Sequence, residues 1–171
     1  PSTGPDFFLT RVEMFDNRFL AQDDAGTLRA LLALYVPVEA EQGMVLFQRR
    51  NPATSLPAPR LVGSQHLSLD QPVEPPRVAA DEMLAIEFNL PLNLAGRLRS
   101  LLYKPPLIFI SLEGEGIESP DYRRVVPGMF VRPVILNPVL ENTRDIVGLF
   151  QGEARKQARR FQLRTFHPDL F

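Results

Sequence analysis

Cysteine is absent from the 171-residue chain, which removes disulfides, thiolate catalysis and every cysteine-based metal site. Tryptophan is also absent, and histidine occurs only twice, at His66 and His167, so the usual acid–base group of neutral-pH chemistry is scarce. No apolar run approaches the roughly 20 residues needed to cross a bilayer. Charge is balanced too. Nineteen basic residues against twenty acidic ones leave a net charge of −1, and no global field steers the surface to nucleic acid or anionic lipid. The chain begins at Pro1 without methionine or a signal-like stretch, as a fragment cut from a longer protein or a processed natural end would.

Proline is abundant instead, with 17 residues, and each one interrupts a helix or a central strand. An apolar share of 44% is that of a globular chain. The most apolar stretch is Leu107-Ile108-Phe109-Ile110, whose two alternating faces are both hydrophobic. Such a strand needs cover on both sides, so it is expected at the centre of the fold. Asn93 to Leu102, just before it, fits a short helix or an ordered crossing loop.

Along the chain, Asp6 to Glu13 reads as a first strand and Phe15 to Phe19 as a turn. Asp23-Asp24 offers a cap for a helix carrying Leu28, Leu31, Leu32 and Leu34. A strand at Tyr35–Glu39 turns at Gln42-Gly43 into Met44–Arg49. Residues 1–50 thus form a small strand-helix-hairpin lobe, and the proline-rich run 51–60 is a stiff connector. In 61–171 the expected strands are Leu61–Leu69, Glu82–Leu90, Leu107–Glu113, Tyr122–Val126, Phe130–Leu136, Ile146–Phe150 and Arg159–Phe166. Short strands between turn signals argue for an α+β, mainly β chain, with a jelly-roll-like β-sandwich after the small lobe.

Sites of chemistry are few. His66 is expected as a partly buried strand residue and His167 as a surface residue near the end. No nucleophile elbow, P-loop or dinucleotide fingerprint is present. Glu113, Glu115, Glu118 and Asp121 share one glycine-bearing loop, where clustered oxygens could hold calcium, although a solvated hairpin tip needs the same composition. Loop carboxylates such as Glu113, Glu118 or Asp121 would also serve a carbohydrate-active hydrolase. Arg97, Arg99 and Lys104, with Tyr103 beside them and Arg123 if its strand is a neighbour, form a candidate contact group for an anionic or saccharide ligand. The competing role for such cations is to lie over apolar surface or to pair with acids.

Two sets of residues carry a resemblance. Asp6 to Phe19, the helix ending at Leu34-Tyr35 and Met44 to Arg50 form the first. Gly96 to Pro106, Tyr122-Arg123 and Pro127-Gly128-Met129-Phe130 form the second. Together they resemble the soluble extracytoplasmic domain of uncharacterised bacterial polytopic membrane proteins. The resemblance implies a periplasmic or cell-surface location, tethering to a membrane-embedded remainder of the same protein, and cell-envelope or glycan work. The expected function is therefore non-catalytic, binding or positioning an envelope component such as a saccharide. The alternatives are the hydrolase and a protein-protein interaction module that pairs through a sheet edge.

Overall fold

Where side chains alternate between buried and exposed, the chain forms strands, and a computed structural model places them in three antiparallel sheets. The structure describes residues 4–11, 25–79, 81–117, 122–126, 133–153 and 156–171. The strand expected over Phe130–Leu136 falls partly outside this set. The Phe15–Phe19 turn, the Asp23-Asp24 cap and Pro127 to Phe130 fall wholly outside it. Among the described residues strand outweighs helix, 33% against 21%, as expected of an α+β, mainly β chain.

The first sheet has the order β1-β3-β2, built from β1 (Phe7–Arg11), β2 (Tyr35–Glu41) and β3 (Met44–Arg49). Helix α1 (Ala25–Leu34) runs directly into β2. At the β2–β3 turn Gln42 and Gly43 both have positive φ, 51° and 81°, the twist that a two-residue hairpin loop requires. Val45 and Phe47 of β3 are fully buried. They form a core with Leu28, Tyr35, Leu140 and Ile146.

The second sheet has the order β4-β9-β6-β7: β4 (Pro72–Val73), β9 (Gln157–Thr165), β6 (Ile108–Glu115) and β7 (Arg123–Val125). Ile110 lies opposite Leu163, and Leu112 opposite Phe161. All of them point into the main core, which Phe88, Val134 and Leu136 complete. Ile108 and Ile110 are fully buried, but Leu107 is 41% exposed. Phe109, on the opposite face, is only half-buried. The central strand is thus dry on one face and partly open on the other, a correction to the expected double cover. The register shifts between Glu113 and Gly114, leaving Arg159 as the extra residue of β9. A Cβ on Gly114 would stand 1.8 Å from the Gln157 carbonyl oxygen, so only glycine admits the bulge there.

The third sheet pairs β5 (Leu84–Ile86) with β8 (Val134–Asn137). Strand β8 serves both cores. Val134 and Leu136 enter the main one, while Ile135 packs against both. Helix α3 (Thr143–Gln151) then carries Ile146 to the first core, and Thr143 Oγ1 donates to the Gly43 carbonyl at 2.9 Å.

Two expected strands do not form. Ile146–Phe150 lies within α3, because Asn142 accepts the Asp145 N–H at 3.1 Å and Gly152 closes the helix at φ 73°. Those caps decide what a short apolar run leaves ambiguous. Leu61–Leu69 is irregular. Leu67 and Leu69 rest on the main core without a ladder, and Leu61 is 87% exposed. Of Glu82–Leu90 only Leu84–Ile86 pairs.

Asn137 joins the third sheet to the second. Its side-chain oxygen accepts the Ala158 N–H at 2.7 Å, and its amide donates to the Ala158 carbonyl at 3.1 Å. Both residues are buried, so the side chain does the work of a ladder rung. Asn137→Leu would strand both backbone groups. A loss of about 2–4 kcal/mol is expected, read as a lower urea midpoint at unchanged slope.

Candidate functional site

Because β6 and β9 pair with their side chains in phase, Phe109 and Arg164 are opposite each other on the outer face of the sheet. With Asp70, Tyr122, Thr165 and Phe166 they line a cleft of about 310 Å³. Phe166 is 77% exposed and meets Phe109 edge-on, with ring centres 5.4 Å apart. The Arg164 guanidinium sits 5.0 Å over the Tyr122 ring, a cation–π distance. Its Nε donates to Asp70 Oδ1 at 3.0 Å. Asp70 itself is positioned from behind, since Gln162 Nε2 donates to its carbonyl at 2.6 Å. The result is an aromatic surface with a half-exposed charge pair at its rim. No sequence motif marked it. The available signal was the run of large residues on the outward face of paired strands, which is visible only once the register is known.

Arg97, Arg99, Tyr103 and Lys104 fall together on helix α2 (Leu94–Leu102) and its exit. Asn93 caps this helix by accepting the Gly96 N–H at 3.0 Å, and donates its own amide to the Asp169 carbonyl at 2.7 Å. A Cβ on Gly96 would lie 2.4 Å from the Leu170 carbonyl oxygen. The helix therefore rests directly on the main chain of the 3-10 turn Pro168–Leu170. Arg99 reaches His167 Nε2 at 3.0 Å. Since guanidinium only donates, that nitrogen accepts. The histidine expectations are reversed. His66 is exposed in the irregular stretch, and His167 is half-buried where the chain folds back beneath α2.

Arg123 sits elsewhere. On β7 it faces Ile110 and is 6% exposed. Its Nη2 donates to Glu141 Oε1 at 2.5 Å. Lys156 Nζ bonds the other oxygen of Glu141 at 2.7 Å and Asp145 Oδ2 at 2.9 Å. Burial works to lower the Lys156 pKa, but the bonds to Glu141 and Asp145 outweigh it and hold the ammonium above its ordinary 10.5. This cluster ties β7, α3 and the start of β9 together.

Of the loop carboxylates, Glu115 pairs with Arg159 at 3.0 Å, both largely exposed, and Glu113 lies opposite Arg160 in the ladder. Glu118 and Asp121 lie outside the described residues. Among the described residues no three metal-ligating side chains gather, and no helix is long and apolar enough to cross a membrane. Compared with known proteins, the chain matches no family model, no curated protein and no solved structure.

Glu141→Ala leaves the Arg123 charge buried without its carboxylate, and a loss of about 3 kcal/mol is expected, measured by chemical denaturation. The Lys156 contribution has the sign of a raised cation. It is complete below 10.5 and fades as pH climbs through the higher folded value. Denaturation followed upward from about pH 9 should show wild type losing stability that Lys156→Met never had.

Proposed function

We propose that this chain is a non-catalytic extracytoplasmic domain of a membrane protein, a jelly-roll-like β-sandwich with a smaller lobe. It binds a saccharide of the cell envelope for the membrane-embedded remainder of the same protein. The observation that supports this most is the outer-face cleft, where Phe109, Tyr122 and Phe166 surround the Asp70–Arg164 pair. A sugar ring has an apolar C–H face and a rim of hydroxyls. The aromatic walls suit the first, and the carboxylate and guanidinium suit the second. At about 310 Å³ the cleft is at the small end of ligand sites, with room for one ring whose neighbours lie outside. Asp70 is the only carboxylate in the cleft among the described residues, and it is already held by Arg164. That arrangement orients a ligand better than it supplies the paired acid and base of glycoside hydrolysis.

Calorimetric titration with envelope-derived oligosaccharides tests the reading. Phe166→Ala, at an exposed position, is expected to weaken binding about tenfold through lost stacking. Phe7→Ala, exposed on β1, should leave affinity unchanged. Absence of saccharide binding, or binding indifferent to Phe166→Ala, would overturn it. Turnover of chromogenic glycosides would replace it with the hydrolase.

A further inference from the structure

Helix α2 is built inside out. Successive helical residues turn by about 100°, which places Leu94, Leu98, Leu101 and Leu102 on one arc of similar width. Gly96 and Ser100 occupy the opposite side, and that side faces the protein, with Gly96 buried and Ser100 half-buried. The leucines look out: Leu101 is 81% exposed, Leu102 79%, Leu94 75% and Leu98 55%, and Tyr103 at the helix end is 71% exposed. A surface helix ordinarily turns its apolar arc to the core. Here the reverse holds, and the arc is too continuous to be scattered surface hydrophobicity.

Charge identifies what covers it. Arg97 and Arg99 flank the leucine arc on its two margins, and Lys104 follows at the exit. Among the described residues none of the three meets a carboxylate. Arg97 Nε donates to the Leu92 carbonyl at 3.1 Å, and Arg99 reaches the His167 ring nitrogen at 3.0 Å. The helix contains no acid. Asp169, whose carbonyl accepts from Asn93, sits at the amino end, away from Leu101, Leu102 and Lys104. Two copies meeting through this face would bring cations against cations with no acid on either helix to offset them. An apolar arc edged by cations matches a bilayer surface instead, with acyl chains beneath the leucines and anionic headgroups level with the guanidinium and ammonium groups.

We infer that α2 is an interfacial helix that lies on the surface of an anionic lipid bilayer, burying Leu98, Leu101 and Leu102 with Arg97, Arg99 and Lys104 at headgroup depth. The inference does not depend on what occupies the cleft, because it concerns other residues and its assay contains no sugar.

Flotation with unilamellar vesicles tests it. The chain should float with vesicles of equimolar phosphatidylcholine and phosphatidylglycerol, less with phosphatidylcholine alone, and high salt should weaken the anionic preference. Leu101→Glu/Leu102→Glu alters only exposed positions, so its circular dichroism and melting temperature should match wild type while vesicle binding falls about tenfold or more. Arg97→Gln/Lys104→Gln should retain the weak binding to neutral vesicles and lose the preference for phosphatidylglycerol. No flotation with anionic vesicles, or flotation unchanged in the double glutamate variant, would overturn the inference. So would a dimer in sedimentation velocity that the double glutamate variant dissolves, since the face would then belong to a second copy.

Discussion

The antiparallel pairing of β6 with β9 governs what the rest of the chain can do. Side chains along a strand alternate strictly, so placing Ile110 against Leu163 and Leu112 against Phe161 also determines which residues are turned outward. Phe109, Arg164 and Gln162 are those residues. The core and the cleft are two consequences of one register, and a slip by a single residue would exchange them. The bulge at Gly114 protects that register, since no side chain fits between its Cα and the Gln157 carbonyl.

Around this ladder the two cores are joined by polar contacts as much as apolar ones. Strand β8 contributes Ile135 to both, and Asn137 continues the hydrogen bonding of β9 through its side chain. The Arg123–Glu141–Lys156–Asp145 cluster fixes β7 and α3 relative to the start of β9. Buried ion clusters are costly to desolvate and add little net stability over apolar packing. They demand one arrangement of their partners, which is the property an edge strand as short as Arg123–Val125 needs most.

Much of the strand placement was legible in the sequence: the patterns at Phe7–Arg11, Met44–Arg49 and Gln157–Thr165 mark three strands, and the apolar run Leu107–Ile110 marks the central one, although its two greasy faces do not reveal that one stays partly open. The Gln42-Gly43 turn was legible for its backbone demands. Other features depended on information that periodicity does not hold. Ile146 to Phe150 is apolar enough for either helix or strand, and Asn142 and Gly152 settle the matter. Leu61 to Leu69 alternates suitably but finds no neighbouring strand. His66 and His167 exchanged their expected environments because one depended on that missing strand and the other on the chain folding back under α2. The contact group on Arg97, Arg99, Tyr103 and Lys104 was visible as composition. Periodicity alone does not say which way its leucines face, and the buried side of Gly96 reveals that they point away from the body. Arg123, grouped with them in sequence, is drawn inward by Glu141.

The manner of attachment of α2 has a consequence for how such a surface changes over time. It is moored by a glycine seated on a carbonyl and by one asparagine bridging two segments of main chain, with no side chain of its outward arc taking part. Residues at 94, 98, 101 and 102 can therefore be exchanged while the foundations beneath them stay as they are. Affinity for whatever lies outside and persistence of the folded body are separable quantities in this protein, and selection can tune the first without taxing the second.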